Sequence, residues 1–280
     1  MRRKLLLFSV LSLLIVLALS CKKKAVQEEE AQVTFKALEM KEDHHLKGDL
    51  KNPVMRISLN LQFPDTFSNV AVLNKIRKAI LTDYFPDIDK KIVDPNIAME
   101  TYIKEYIKFY ESSENISSYE DKETEESQPE VAWWDREKMI IRNNSDNILS
   151  YTVESDRYTG GAHGGKTYLN TVINLKTGDR ITEVDLFTEE SRSMISDLIL
   201  KKIMLKNKVQ KAEDLEEIGF FDVTDINLNK NFYITKKGIV YTFNEYEIAA
   251  YALGTIEIML SYEEISAFMI PGNPLVSIIL

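Results

Sequence analysis

A single cysteine, Cys21, stands at the end of an apolar leader, so no internal disulfide can hold the remainder of this chain together. Stability must come from a packed core, and the roughly 260 residues beyond the leader are enough for one large domain or two small ones. Apolar, aromatic and charged fractions lie near those of ordinary folded domains. The formal net charge is −9, and it becomes more negative once Arg2, Arg3 and Lys4 are removed with the leader. Such a field repels nucleic acid and anionic headgroups and favours basic partners, or serves solubility alone.

Arg2, Arg3 and Lys4 head a run of apolar and small residues from Leu5 to Ser20. The run is shorter than the roughly 20 residues of a spanning helix, which predicts an export signal over 1–20. With Ala18-Leu19-Ser20 before Cys21, the pattern resembles the bacterial lipoprotein signal. That resemblance implies a lipid on Cys21, which becomes the mature N-terminus, and an exported protein anchored in the cell envelope, at the outer membrane or cell surface in a Gram-negative host. The leucine is displaced by one place from the usual position, at Leu17. An ordinary signal peptide with an incidental cysteine is the competing reading.

Residues 21–45 read as a flexible tether, opening on Lys22, Lys23 and Lys24 followed by Ala25 to Gln32, with Glu28, Glu29 and Glu30 in the middle and too little apolar content there to pack. Order is expected from a strand at Met55–Phe63, whose apolar residues alternate strictly. Ser68 is placed to cap a helix bearing Leu73, Ile76 and Ile80. A second helix follows Pro95, with a stripe from Met99 to Tyr110 that reads as core. The segment 111–130 is rich in Glu, Ser, Asp and Lys and reads as a long loop. Val131–Trp134, Lys138–Ile141 and Ile148–Tyr158 read as strands, and Leu149, Tyr151 and Val153 share one face.

A second unit is expected after a glycine cluster. Thr167–Leu175 and Arg180–Val184 read as a hairpin across Lys176-Thr177-Gly178-Asp179. Thr188 is placed to cap a helix with Met194, Ile195, Leu198, Ile199 and Ile203 on its apolar face. A short helix near Ala212–Ile218, strands at Asn231–Thr235, Ile239–Phe243 and Thr255–Leu260, and a short helix at Tyr262–Phe268 follow. The irregular alternation predicts an α+β fold, with antiparallel sheets and helices packed on one face, in two small units in tandem. The expected boundaries are 46–165 for the first unit, 166–270 for the second and 271–280 for a tail.

Two segments are dense enough to carry chemistry. Tyr158-Thr159-Gly160-Gly161-Ala162-His163-Gly164-Gly165 lacks the lysine of a phosphate loop and the dinucleotide spacing. Read functionally, Gly160 and Gly161 bring backbone close to a ligand and His163 serves as base or ligand; read structurally, the segment is a tight crossover. Phe243 to Gly254 concentrates Tyr246, Glu247 and Tyr251, either as a recognition surface or as a packed corner. His44 and His45 are expected in a charged, solvent-exposed entry segment. With three histidines and no spare cysteine, no metal site and no cofactor are expected. No serine lies in a Gly-x-Ser-x-Gly elbow, and no catalytic residue is assigned.

Taken with Asn174-Leu175-Lys176-Thr177-Gly178-Asp179, Asp185-Leu186-Phe187, Asn231–Thr235 and Tyr246-Glu247-Ile248, the glycine–histidine segment is similar to a pair of envelope domains of unassigned function. That pair occurs in the ectodomain of a lysozyme-sensing anti-sigma factor and beside the catalytic domain of some peptidoglycan deacetylases. The resemblance spans Met55 to Phe268 and departs at Ala250, where proline is common, and at Leu253. It implies a binding module, for a basic protein such as lysozyme or for a cell-wall glycan, without the sigma-binding segment and without the deacetylase domain. Two other readings stand beside it: a glycan hydrolase or deacetylase using His163 and a carboxylate, and a structural lipoprotein without a ligand.

Overall fold

The computed structural model describes residues 32–113 and 131–279, the side chains of Val131 and Asp225 apart. The leader, Cys21 and the expected loop beyond Ser113 lie outside them. Among the described residues no helix is long and apolar enough to cross a membrane.

The first sheet has five strands in sequential order, β1 (Phe35–His45), β2 (Val54–Pro64), β3 (Val131–Ser145), β4 (Ile148–Tyr158) and β5 (Gly165–Asn174). On β2 the alternation works as expected, with Met55, Ile57, Leu59 and Leu61 buried on one face. Order nevertheless starts earlier than Met55. Residues within the expected tether form β1, paired antiparallel to β2 from Phe35 opposite Pro64 to His45 opposite Val54. Leu38 and Met40 of β1 rest only partly buried on the core while its charged residues face water, as suits an edge strand.

One pairing departs from the antiparallel expectation. β2 and β3 run parallel, because the chain between them crosses over the sheet through α1 (Val70–Tyr84) and α2 (Pro95–Glu111). Asn69, rather than Ser68, caps α1, its side chain accepting from the amides of Ala71 and Val72. Asp94 does the same for α2, with Pro95 in the first turn. Ile76, Ile80, Met99 and Tyr110 are fully buried against Ile57, Leu61, Trp133 and Tyr151, forming the first core. The Tyr84 hydroxyl accepts from the Asn60 amide at 2.8 Å and donates to the Glu137 carbonyl at 2.7 Å, bridging β2 and β3 near the end of their ladder.

The two strands expected at 131–134 and 138–141 are one, since alternation continues through Asp135 and Glu137. β3 turns into β4 through Asp146 and Asn147, both at positive φ, the twist a two-residue hairpin demands. The strand Gly165–Asn174 pairs with β4 along its length, from Gly165 opposite Arg157 to Asn174 opposite Ile148. It therefore completes the first sheet instead of opening a hairpin of the second unit. Beyond the Gly178 turn only Arg180 bridges back to Ile173; the next residues wind into α3 (Glu183–Leu186), whose capping box joins Thr182 and Asp185.

β4 and β5 serve two cores with their two faces. Leu149, Tyr151, Val153 and Ile173 point to the helices, whereas Ile148 and Val172 point to the second unit. That unit is a three-stranded antiparallel sheet, β6 (Phe232–Thr235), β7 (Gly238–Phe243) and β8 (Ile256–Ser261), with α4 (Glu189–Asn207) over it. On α4 Ile195, Ile199 and Ile203 are buried as expected, but Met194 is 53% exposed, one position round the helix from the stripe. A buried polar seam joins the sheets: Thr152 Oγ1 donates to Asn170 Oδ1 at 2.6 Å, Asn170 Nδ2 to Thr242 Oγ1 at 2.8 Å, and the Ile234 amide to Ser150 Oγ at 3.0 Å. Satisfied on both sides, these groups set the register of one sheet against the other.

Candidate functional site

A cleft of about 580 Å³ opens between the C-terminal end of α1, Tyr102 of α2, the β3–β4 strands and the glycine–histidine loop. Its floor follows from the strand period. Asp135 and Glu137 share the inward face of β3 with Trp133 and Met139, and they lie opposite Arg157 and Ser155 of β4. Two carboxyl groups are thus carried into the protein, at 0% and 3% exposure.

Burying them requires compensation, and the neighbours provide it. Arg157 Nη2 donates to Glu137 Oε1 at 3.1 Å and stands 3.4 Å from Asp135 Oδ2. Tyr102 donates its hydroxyl proton to Asp135 Oδ2 and accepts from Arg157 Nη2 at 2.8 Å. Ser155 Oγ donates to Glu137 Oε2. Burial first, and the Asp135 carboxylate second, push the Glu137 carboxyl up to about 8 against the opposing pull of Ser155 and Arg157. Burial would lower Arg157, but Asp135 and its neighbours more than offset that and hold the guanidinium charged. The tyrosines Tyr84, Tyr102 and Tyr106 are all raised, by burial above all and then by these carboxylates. Asp135 Oδ1 and the Tyr106 hydroxyl, both buried, have no hydrogen-bond partner among the described residues.

At the mouth the glycine–histidine loop is held by its own ends. Trp134 stacks on Tyr158 with centroids 4.6 Å apart, and the Tyr158 hydroxyl donates to the Gly161 carbonyl at 2.9 Å. A side chain at Gly164 would put its Cβ 3.0 Å from the Arg157 carbonyl and 3.1 Å from the Trp134 ring, so both neighbours would have to give by a few tenths of an ångström to admit one. Gly160 and Gly161 both adopt φ of +94°, turning the chain across the cleft.

The loop meets the second dense segment. The His163 ring stacks on Tyr251 at 3.7 Å between centroids, and Tyr246, 58% exposed, lies nearly parallel to both. His163 Nδ1 is 2.8 Å from the Gly164 carbonyl and Nε2 is 3.4 Å from the Tyr246 hydroxyl. Among the described residues no carboxylate is hydrogen-bonded to His163. Asn244 and Glu245 fasten the two segments: Asn244 Oδ1 accepts from the Tyr168 amide at 2.7 Å and Glu245 Oε2 from the Lys166 amide at 3.1 Å.

Of the six binding residues expected from sequence, Gly160, Gly161, His163, Tyr246 and Tyr251 lie together. Glu247 turns away to accept from the Asn244 amide at 2.8 Å and from Asn229 Nδ2 at 2.7 Å, closing a local turn. His44 and His45 are tied down rather than free, to Glu111 at 2.6 Å and to the Asn52 carbonyl at 3.0 Å. Among the described residues no group of three or more His, Cys, Asp or Glu side chains is placed to hold a metal ion. The floor residues Glu137, Ser155 and Arg157, and Asp135 buried beside them, were not singled out from sequence. Their signal was present, as two acids on the inward phase of an otherwise apolar alternation.

The chain carries two domains in tandem that known family models describe. Residues 41–166 match the family described as Deacetylase PdaC, and residues 184–263 match the family described as Protein of unknown function (DUF3298). His163 falls in the first stretch and Tyr246 and Tyr251 in the second, so the aromatic stack joins one domain to the other. A crystal structure of a DUF3298 family member from Bacteroides fragilis aligns over 89% of this chain and 98% of its own, at 24% identity and a TM-score of 0.77. A DUF3298 family protein from Pseudomonas aeruginosa aligns over 85% of this chain and 95% of its own, at 15% identity and a TM-score of 0.54. Both likenesses concern the fold. No curated protein matches the chain at a significant level.

Proposed function

We propose that this chain is a binding module of the cell envelope, tethered by a lipid on Cys21, and that the cleft takes a short stretch of cell-wall glycan. One observation carries the reading: the His163–Tyr251–Tyr246 stack stands beside a cleft whose floor presents hydroxyl, carboxyl and guanidinium groups. A sugar offers an apolar ring face to an aromatic platform and a rim of hydroxyls to such a floor, the combination of flat apolar walls and few convergent polar groups typical of small-ligand sites. The leader followed by Cys21 supports export and anchoring in the envelope, where cell-wall glycan is at hand.

A second reading, a basic protein such as lysozyme as partner, is favoured by the net charge of −9. Calorimetric titration with chitin-type oligosaccharides and, separately, with lysozyme at low salt distinguishes the two. Saturable heat with the oligosaccharide that disappears in Tyr251→Ala supports the cleft. Heat with lysozyme alone, abolished by salt and indifferent to Tyr251, replaces the glycan by a protein partner. Silence with both removes the binding reading, and a Cys21→Ala protein that remains membrane-bound with its acyl chain removes the tether.

A further inference from the structure

A second concavity, of about 530 Å³, lies on the other side of α1, between that helix and the hooked connection that leads to α2. Its apolar walls are the outer layer of the first core, where Leu81, Phe85 and Ala98 are buried and Ile88 and Ile92 are partly buried. Leu81 on α1 and Phe85 at its C-cap lie side by side, and Ile88 and Ile92 of the connection line the cavity with them, with Ala98 of α2. The hook keeps its shape through its own hydrogen bonds, the Ile92 amide to the Asp89 carbonyl at 2.9 Å and the Lys91 amide to Asp89 Oδ1 at 3.0 Å. Val93 stands 77% exposed at the rim.

Charge at this rim is opposite to that of the molecule. Arg77, Lys78 and Lys90 line the opening of a cavity in a chain of net charge −9, and Asp89, the one acid among them, is engaged in its turn. Arg77 gives its donors to neutral groups, the Pro64 carbonyl at 3.0 Å and the Asp65 carbonyl at 2.7 Å, which orients its charge without cancelling it. Among the described residues no carboxylate pairs with Lys78 or Lys90. An apolar pocket with a cationic collar selects a ligand that is apolar along its length and anionic at one end. Since an apolar cavity of about 150 Å³ holds one benzene, this one has room for roughly twenty non-hydrogen atoms.

We propose that the cavity between α1 and the α1–α2 connection binds a straight-chain fatty carboxylate, with the hydrocarbon over Leu81, Phe85 and Ile92 and the carboxylate at Lys78 and Lys90. The site is separate from the glycan cleft, and its test does not involve that cleft.

The test is calorimetric titration of the full chain carrying Cys21→Ala, purified without detergent, with decanoate, dodecanoate and tetradecanoate below their micellar concentrations. Binding is expected to tighten roughly threefold to fourfold with each added methylene. The variant Lys78→Glu/Lys90→Glu, both at exposed positions, should keep its melting temperature, lose at least tenfold in dodecanoate affinity and bind dodecanol as before. Affinity independent of chain length, equal binding of dodecyltrimethylammonium, an unaffected double variant or the absence of heat would each overturn the assignment.

Discussion

The imidazole of His163 and the phenol ring of Tyr251 lie face to face, 3.7 Å between centroids and 18° from parallel. One comes from the stretch matching the first family model and the other from the stretch matching the second. The contact therefore does two things at once: it closes the seam between the domains at the surface, and it stiffens an aromatic edge beside the cleft. A ring held by a neighbour has lost its rotamer freedom before a ligand arrives, which lowers the entropy cost of binding.

Tyr251→Ala should remove the backing of His163 and weaken oligosaccharide binding by about tenfold, close to 1.4 kcal/mol. Tyr251 is only half-buried, so the melting temperature should change little. Tyr251→Phe keeps the ring and should retain affinity within about twofold. A calorimetric series over the three proteins checks this, and equal losses in the Ala and Phe variants would argue against stacking as the cause.

Arg157 and Asp135 face each other across β3 and β4, and the arginine is the cation nearest a carboxylate with no exposed surface. Arg157→Met leaves that carboxylate with the Tyr102 hydroxyl but without its cation and should destabilise the fold. Loss of one partner of a fully buried pair costs about 3–5 kcal/mol, but Arg157 is 46% exposed, so a smaller loss of roughly 1–3 kcal/mol is expected. Adding Asp135→Asn should recover part of it. Urea unfolding of the single and double variants gives the coupling directly, and additive losses would show that the two groups do not compensate each other.

How much of this could be read from sequence depended on whether the signal was local. The strict alternation on β2 and the apolar spacing on α1 and α2 placed those elements well, because burial on one face is written into consecutive residues. β1 was hidden, since an edge strand of charged residues carries the composition of a tether. The membership of β5 was hidden too, because pairing with β4 is decided by partners and not by its own residues. At the site, glycine density marked the loop and aromatic density marked the corner, yet nothing local said that His163 would meet Tyr251. Asp135 and Glu137 were legible only to a reading that carried the alternation of β3 past Trp134 and asked why acids occupied inward positions.

Glu137 predicts the pH response of the fold. Its carboxyl is pushed up to about 8 in the folded protein from an ordinary 4.5, so between those values the folded chain keeps a proton that the unfolded chain has released. Stability is then fully present below about pH 4.5, falls as pH rises, and has lost this contribution above about pH 8, with a steepest slope of about 1.4 kcal/mol per pH unit. Glu137→Gln keeps the shape and removes the proton, so its stability should be flatter over this window and its advantage over the parent should grow toward pH 9. Denaturant midpoints from pH 5 to pH 9 measure the difference, and parallel profiles would show that Glu137 is ionised throughout.

Gly238 opens β7 opposite Ser261, where β8 passes too close for any side chain. A Cβ there would sit 2.0 Å from the Leu260 carbonyl oxygen and 2.8 Å from its carbon, both backbone atoms of the neighbouring strand. Neither can yield without pulling β8 off the ladder that buries Ile258 and Leu260 in the second core. Gly238→Ala should therefore cost more than 3 kcal/mol, at the severe end for a single substitution, despite adding only one methyl group. Gly272→Ala is the control, as φ there is +73° but nothing lies within 4 Å of its Cβ, and a loss near 1 kcal/mol is expected from backbone strain alone. Comparing the two by thermal unfolding separates close approach from conformational preference. A Gly238→Ala protein as stable as Gly272→Ala would mean that the strands can part at this point, and that the second sheet is looser than its buried residues imply.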